Sequence, residues 1–174
     1  MAAVATRERL ARRIRSRAHL TGHFVLRSGA TSDVYFDKYL FEADPPLLWD
    51  IAEAMAPMVP ADTEVVAGLE LGGVPLATVL SQVTGLPTRF VRKKAKPYGT
   101  NRLAEGGDIE GRRLLIVEDV ITTGGQVRAS VADLRARGAV VDHVLCVINR
   151  EQGGAANLAE DDLKLSALFT ASEL

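Results

Sequence analysis

The stretch that decides the fold runs Leu114-Leu115-Ile116-Val117-Glu118-Asp119-Val120-Ile121-Thr122-Thr123-Gly124-Gly125-Gln126. An apolar run typical of a buried strand is followed by two acidic residues, then by a turn rich in hydroxyl groups and glycine, after which helical spacing begins. In open sheets of alternating strands and helices, ligands bind at the carboxyl ends of the strands, which is where these polar residues fall. The stretch therefore predicts a strand–turn–helix unit with a ligand site at its turn.

The turn carries the groups that bind a phosphate. Gly124 and Gly125 allow the backbone to approach an anion closely, and the hydroxyl groups of Thr122 and Thr123 can donate hydrogen bonds. The helix that follows adds partial positive charge at its N-terminus. The alternative is a helix N-cap without a ligand. A cap needs only one Thr or Asp, so it does not account for the other polar residues and glycines of this segment.

Glu118 and Asp119 stand beside this predicted anion site, where two carboxylates would repel a phosphate. Carboxylates can instead accept hydrogen bonds from sugar hydroxyls or hold Mg²⁺ through water. A ribose that carries a 5′-phosphate and a pyrophosphate would satisfy both halves of the site. No direct metal ligand is predicted, because the Mg²⁺ would arrive on the ligand and reach the carboxylates through water.

Strand-like and helix-like segments alternate along the chain, which predicts an α/β fold with a mainly parallel central sheet flanked by helices. We expect a single domain over 1–174, in which 1–40 form an N-terminal helix and a small hood element and 93–108 form an exposed, mobile loop. Strands are predicted at 24–26, 34–36, 64–68, 88–92, 113–117, 140–148 and 163–169. Helices are predicted after Asp44, from about Pro75 to Gly85 and from about Gln126 to Gly138.

Composition narrows the classes of protein further. The chain has 174 residues, is 47% hydrophobic and 25% charged, and has a formal net charge of −1, which gives no overall basic field for nucleic acid. No apolar run is long enough to span a membrane, and the one cysteine, Cys146, lies in an apolar strand, which indicates core packing in a reducing, cytoplasmic compartment. The arginine-rich stretch Arg7–Arg17 is read as an amphipathic helix, with a nucleic-acid arm as the alternative.

The segment Val117–Gln126 resembles the signature of type I phosphoribosyltransferases that binds phosphoribosyl pyrophosphate (PRPP). The resemblance implies the fold of that family and a PRPP site that includes Val120, Ile121 and the turn 122–126. It also implies that Glu118 and Asp119 hold the ribose hydroxyls, and Asp119 is counted among the catalytic residues.

The segment Phe90–Thr100 resembles the catalytic hood loop of orotate phosphoribosyltransferases, with four cations from Arg92 to Lys96. The resemblance implies that Arg92, Lys93, Lys96 and Tyr98 contact PRPP and that the loop completes the site of the partner in a homodimer. Many family members have histidine at the position of Tyr98, and tyrosine is a poor proton shuttle near neutral pH. We therefore assign the chemistry to Lys96.

Three further segments resemble parts of the same family. In the segment Phe24–Asp37, Arg27 stands where the family usually has lysine and would contact PRPP, while Tyr35 and Phe36 would lie against the orotate ring. Because neighbouring strand residues face opposite sides, only one of these rings can stack on orotate. At the end of a strand, Arg150 is implied as an orotate contact together with Thr122. The glycines at 72 and 73 match the family's pyrophosphate loop, in which other members often carry lysine at the position of Gly72.

These observations predict an enzyme that transfers the 5-phosphoribosyl group from PRPP to orotate with Mg²⁺, giving orotidine 5′-monophosphate and pyrophosphate. Two alternatives stay open. One is a phosphoribosyltransferase for another base, and the other is a non-catalytic regulator that senses PRPP on the same fold. The predicted partners are the two substrates and a second copy of the chain, with no nucleic acid and no membrane.

Overall fold

The computed structural model describes the backbone of residues 2–25, 29–95 and 102–174, and the side chains of these ranges from residue 6 onward. These residues form eight strands and six α-helices. In chain order the elements are α1 (Ala2–Ala18), β1 (His19–Val25), β2 (Thr31–Phe36), α2 (Tyr39–Glu42), α3 (Pro45–Met55), a 3-10 turn (Ala56–Met58), β3 (Val65–Leu69), α4 (Gly73–Thr84), β4 (Thr88–Val91), β5 (Ala104–Glu105), β6 (Arg113–Ile121), α5 (Gly125–Arg135), β7 (Val140–Asn149), α6 (Gly154–Ala159), β8 (Lys164–Thr170) and a second 3-10 turn (Ala171–Glu173).

The central sheet has the order β5-β4-β3-β6-β7-β8. Strands β4, β3, β6, β7 and β8 run parallel, and only the short β5 pairs antiparallel with its neighbour β4. The predicted α/β fold with a mainly parallel sheet is confirmed. Because parallel strands end at one edge, the loops after β3, β4, β6 and β7 lie side by side.

The core forms on both faces of this sheet because β6 alternates its apolar side chains. Leu115 and Val117 pack with α1, α3 and α4, whereas Leu114 and Ile116 pack with α5 on the other face. The predicted core position of Cys146 is confirmed, since this side chain is fully buried in β7.

Local signals account for the helix boundaries. The Asp44 carboxylate accepts a hydrogen bond from the backbone N–H of Leu47 (3.2 Å) and caps α3. Helix α4 ends at Gly85, whose φ of 76° places it in the left-handed region that favours glycine. Helix α4 begins at Gly73, two residues before the predicted start, so the glycine pair belongs to the start of the helix.

Helix α1 is amphipathic, as predicted. Leu10, Ile14 and Ala18 are buried against the core. Several of its arginines pair with acidic residues of the same chain, namely Arg7 with Glu173, Arg13 with Asp50 and Arg17 with Asp44. These pairs are exposed, so each contributes little to stability, but they direct part of the basic face toward the protein itself.

Strands β1 and β2 form a separate antiparallel hairpin next to α1. The ring of Tyr35 packs on Phe24 at a centroid distance of 5.5 Å, while the ring of Phe36 packs on Phe41 at 6.4 Å. The two neighbouring aromatic rings therefore face opposite sides of the hairpin, as the strand period requires.

The prediction of an exposed loop over 93–108 is wrong for its last part. Leu103 and Ala104 are buried, and the two-residue strand β5 pairs with β4. Two adjacent apolar residues give no periodic pattern, so the sequence did not predict a strand here. The strand forms because β4 has an open edge with which it can pair. Residues 96–101, the centre of the predicted loop, lie outside the described residues.

Strand β6 continues to Ile121, beyond the predicted end at Val117. The acidic pair therefore lies inside a strand, and Glu118 and Asp119 point to opposite faces of the sheet. Helices α2 and α6 were not predicted, because segments of four and six residues are too short for a periodic pattern. Among the described residues, no helix is both long enough and apolar enough to cross a membrane.

Candidate active site

The carboxyl edge of the sheet brings together most of the described residues that the sequence singled out. The backbone N–H of Arg150, just after β7, donates to the carbonyl oxygen of Ile121 at the end of β6 (2.8 Å). On the other side, the N–H of Lys93 donates to the Glu70 carboxylate (2.8 Å), which joins the segment after β4 to the loop after β3. Glu70 had no predicted role, and only the tertiary fold places it between these loops.

The predicted phosphate turn has an open, braced geometry. Gly124 has a φ of 77°, a conformation that favours glycine, and α5 begins at the next residue. The Thr122 and Thr123 side chains are exposed at the turn. The first turn of α5 therefore leaves backbone N–H groups without helix partners beside two exposed threonines, and such groups can bind a phosphate.

Helix α6 supports this turn from behind. The side-chain amide of Asn157 donates to the carbonyl oxygen of Thr123 (2.9 Å). A Cβ at Gly124 would stand 3.1 Å from the side chain of Leu158, and one at Gly154 would stand 2.7 Å from the carbonyl oxygen of Thr122. The turn thus tolerates little displacement toward α6.

The loop between β3 and α4 lies close to the backbone of the neighbouring strand. A Cβ at Gly73 would overlap the carbonyl oxygen of Val117, and one at Gly68 would overlap the carbonyl oxygen of Gly73. A Cβ at Gly72 would overlap an oxygen of the Asp119 carboxylate. Three glycines therefore bring the N-terminus of α4 against β6, where its N–H groups can bind an anion.

Asp119 is fully buried, and its carboxylate faces Gly72 and α2. Its Oδ2 atom lies 2.6 Å from the ammonium group of Lys38, whose side chain is 34% exposed. Burial raises the pKa of Asp119, but the neighbouring side chains of Glu118, Glu42 and Lys38 outweigh burial and hold the pKa below its ordinary value. Asp119 is therefore ionised at neutral pH.

Two further carboxyl groups border Asp119. Glu42, on α2, is 7% exposed, and burial together with its contact to Asp119 raises its pKa to about 9. Burial and the negative charge of Asp119 also raise the pKa of Glu118 well above its usual range. Protonation of these two groups lowers the negative charge of the cluster, so the cluster repels a nearby phosphate less than three ionised carboxylates would.

The basic segment after β4 is described only at its start. The Arg92 guanidinium lies 3.2 Å from the Glu105 carboxylate on β5, and Lys93 is exposed. Lys96 and Tyr98, predicted to contact PRPP, lie outside the described residues, as does Arg27.

A cavity of about 510 Å³ opens next to Arg150 and the hairpin. Its lining combines two aromatic rings with cationic groups and apolar strand residues: Arg15, His19, Ser32, Val34, Tyr35, Phe36, Ile148, Arg150, Ala171 and Leu174. The predicted grouping of Tyr35, Phe36 and Arg150 in one place is observed. Arg15 and His19 were not predicted to line this site. They belong to no motif, and they reach the cavity only because α1 ends and β1 begins beside it.

No group of three or more His, Cys, Asp or Glu side chains suited to a metal ion occurs in the described part of the chain. The acidic groups near the phosphate turn are Glu118 and Asp119, and Lys38 already neutralises Asp119. Carboxylates can also hold a cation through water, without a cluster of direct ligands.

Comparison with known proteins agrees with this geometry. Residues 44–164 match the family model described as the phosphoribosyl transferase domain. An orotate phosphoribosyltransferase from a Nocardioides species is 54% identical over 155 residues, which cover 89% of this chain and 87% of that protein. The chain belongs to the orotate phosphoribosyltransferase family. Membership of this family explains why a phosphate turn and a cavity with Arg150 occur at one edge of the sheet.

Solved structures in the family share the whole fold. The Mycobacterium tuberculosis orotate phosphoribosyltransferase, in complex with Fe(III) dicitrate, superposes with a TM-score of 0.87 at 31% identity and covers 97% of this chain and 98% of that one. The same M. tuberculosis enzyme, in complex with PRPP, superposes with a TM-score of 0.82 at 27% identity over 97% of this chain and 98% of that one. The resemblance drawn from the sequence and the fold that it implied are both confirmed.

The roles of individual residues stay predictions. The phosphate turn, the glycine loop and Arg150 lie together at the edge of the sheet where a substrate would bind. Asp119 lies at the same edge but is fully buried, so its predicted contact with ribose hydroxyls requires Lys38 or the Gly72 loop to move. Glu118 keeps part of its surface exposed and can be reached without such a movement.

Proposed function

We propose that this protein transfers the 5-phosphoribosyl group of PRPP to orotate, giving orotidine 5′-monophosphate and pyrophosphate. One observation carries the proposal: the phosphate turn and the cavity lined by Arg150 are neighbours, joined by the hydrogen bond from Arg150 N–H to the Ile121 carbonyl (2.8 Å). A phosphorylated sugar at the turn would therefore have its reacting carbon near a base in the cavity. The orotate phosphoribosyltransferase relatives support the choice of substrates.

PRPP binds across the carboxyl edge of the sheet. The 5′-phosphate is held by the N–H groups and hydroxyls of residues 122–126, and the pyrophosphate lies toward the N-terminus of α4 at Gly72 and Gly73. Glu118 accepts hydrogen bonds from the ribose hydroxyls. The M. tuberculosis relative was solved in complex with PRPP, which supports PRPP as a ligand of this fold.

Orotate occupies the cavity beside the hairpin. Its carboxylate pairs with the guanidinium of Arg150, whose planar fork matches a carboxylate. One ring of the pair Tyr35 and Phe36 stacks on the pyrimidine, and Thr122 lies between the base and the sugar. A base that lacks a carboxylate would leave Arg150 without its ionic partner, which favours orotate over uracil or a purine.

The reaction breaks the bond between C1′ and the pyrophosphate oxygen and forms a bond between C1′ and N1 of orotate. The sugar carbon gains oxocarbenium character as the bond breaks, negative charge develops on the pyrophosphate, and the N1 proton passes to solvent. Cations placed at that leaving group stabilise the transition state. Arg92, Lys93 and Lys96 supply them, with Lys96 as the principal residue, and Lys96 is assigned from the sequence alone.

Magnesium accompanies PRPP in this proposal. Mg²⁺ that enters with PRPP would neutralise charge on the leaving group. Glu118 would hold it through water, and the buried Asp119 would do so only after Lys38 or the Gly72 loop moves.

The protein acts as a cytoplasmic homodimer in which the segment around Lys96 and Tyr98 completes the site of the partner. The family supports this arrangement, and so do the exposed apolar side chains of Tyr39 and Leu71 near the site. The ion pairs of Arg7, Arg13 and Arg17 within the chain speak against a role of α1 in nucleic-acid binding.

The test is loss of orotate absorbance with purified protein, PRPP and Mg²⁺, with adenine, hypoxanthine and uracil in parallel. Loss with orotate alone is the expected result. Consumption of PRPP with a different base would refute the assignment of Arg150 and the cavity to orotate. Binding of PRPP without turnover of any base would identify a PRPP-sensing regulator instead.

A further inference from the structure

Lys38 belongs to none of the segments that the sequence assigned to substrates. It lies between β2 and α2, and its ammonium group reaches across to β6, where it contacts the Asp119 carboxylate at 2.6 Å. The contact joins an aspartate with no exposed surface to a lysine whose side chain is 34% exposed. The exposed partner is therefore the one that a ligand at this edge would meet.

The position of the ammonium group follows from the burial of Asp119. A buried carboxylate without a partner is strongly unfavourable, so Asp119 keeps the Lys38 ammonium group beside it. Burial alone would lower the pKa of Lys38, but the hydrogen bond and the charge of Asp119, with a smaller contribution from Glu118, raise it. The lysine is thus charged and its ammonium group is held beside Asp119 by the ion pair. An ammonium group has three donors, so it can also donate to an acceptor on a ligand.

The ammonium group lies beside the loop that holds Gly72. The Asp119 oxygen that Lys38 contacts is the same oxygen that a Cβ at Gly72 would overlap. No side chain fits at position 72 while Asp119 keeps this place, so the loop supplies only backbone donors at that point. Lys38 brings a full positive charge to the same spot from a different part of the chain.

We propose that Lys38 is a substrate-binding residue whose ammonium group, held in place by Asp119, binds the pyrophosphate group of PRPP beside the Gly72 loop. The inference rests on the proposed function, because it assumes that the pyrophosphate lies at this loop. Asp119 then acts as a positioning residue: it directs the lysine toward the pyrophosphate and leaves the sugar contacts to Glu118. This arrangement accounts for a fully buried aspartate in a segment that binds a sugar phosphate.

The alternative is that Lys38 only fixes Asp119, which itself binds the ribose hydroxyls. Two partial ligands separate the two arrangements. Pyrophosphate carries the group that Lys38 would bind and lacks the sugar, whereas ribose 5-phosphate carries the hydroxyls and the 5′-phosphate and lacks the pyrophosphate.

The experiment is calorimetric titration of the wild type and Lys38→Met with Mg²⁺-pyrophosphate and with ribose 5-phosphate. Loss of one charge-assisted hydrogen bond is expected to weaken pyrophosphate binding roughly 10- to 100-fold and to change ribose 5-phosphate binding less than about twofold. Lys38→Arg should recover part of the pyrophosphate affinity. Lys164→Met, the same substitution at the amino end of β8, should change neither affinity.

Two results would overturn the inference. Unchanged pyrophosphate binding in Lys38→Met would exclude the contact, and weaker binding of ribose 5-phosphate alone, or of both ligands equally, would point to Asp119 and the sugar. If Lys38→Met does not fold, Lys38→Gln keeps a donor to Asp119 without the charge and should show the same selective loss. Failure of the wild type to bind either ligand would refute the proposed function and not this residue alone.

Discussion

Replacing Glu42 with glutamine is expected to change how the stability of the protein depends on pH. Glu42 is 7% exposed, its Oε1 atom has no hydrogen-bond partner, and its pKa is raised from 4.5 to about 9 by burial first and then by Asp119. A carboxyl group whose pKa is higher in the folded state stabilises the fold fully below its unfolded pKa. This contribution decreases as the pH rises toward the folded value, so the wild type loses stability between about pH 4.5 and pH 9.

The size of the effect follows from the difference between the two pKa values. Within that window the free energy of unfolding changes by at most about 1.4 kcal/mol per pH unit for one group. Between pH 5.5 and pH 8 the wild type should therefore lose up to roughly 3 kcal/mol relative to Glu42→Gln, and less where Asp119 shares the proton. Glutamine has nearly the same shape and no charge. The stability of Glu42→Gln relative to the wild type should therefore be greater at pH 8 than at pH 5.5.

The assay is urea unfolding followed by far-UV circular dichroism at both pH values and one fixed protein concentration. Glu64→Gln is the control, because hydrogen bonds from Arg113 and Arg112 hold the pKa of Glu64 below its usual value. That group is ionised in the folded and the unfolded protein over this range, so the difference in stability between the wild type and Glu64→Gln should be the same at both pH values. The same difference between wild type and Glu42→Gln at pH 5.5 and pH 8 would refute the raised pKa.

Three further outcomes are expected. Lys96→Ala should lower kcat strongly while circular dichroism stays unchanged, and near-wild-type turnover would remove Lys96 from the chemistry. Arg150→Met should raise the KM for orotate roughly 10- to 100-fold and leave the KM for PRPP unchanged; an equal rise in both would place Arg150 outside the base cavity. Gly68→Ala should cost roughly 1–3 kcal/mol in thermal or urea unfolding, because its Cβ would overlap the Gly73 carbonyl and stand 2.8 Å from Ala77. Gly125→Ala is its control, with 3.9 Å to the nearest atom, and an equal loss there would contradict the packing argument.

The sequence was most informative where a signal is contiguous. The strand, acidic pair, glycine turn and helix from Leu114 to Gln126 predicted a phosphate site, and these residues occur in the expected order at the carboxyl edge. The cap at Asp44 and the apolar face of α1 were also readable, because each depends on residues within one or two helical turns. Boundaries moved by a few residues, since the last hydrogen bonds of an element depend on its neighbours.

Contacts between distant segments were not readable. β5 forms because β4 offers an open edge, α6 braces the phosphate turn through Asn157, and Arg15 and His19 reach the cavity because α1 ends there. No local periodicity or spacing in the sequence encodes such pairings.

The sequence by itself determined the α/β architecture, the glycine-rich turn before α5 and the family, because strand and helix periods and a contiguous turn are local properties of the chain. Only the tertiary structure decided that Asp119 is buried, that Lys38 is its partner and that Glu42 is neutral at pH 7. The pKa of a carboxyl group depends on its burial and on the charges around it. Both come from α2, α4 and β6 meeting in space, and residues far apart along the chain give no sign of that meeting.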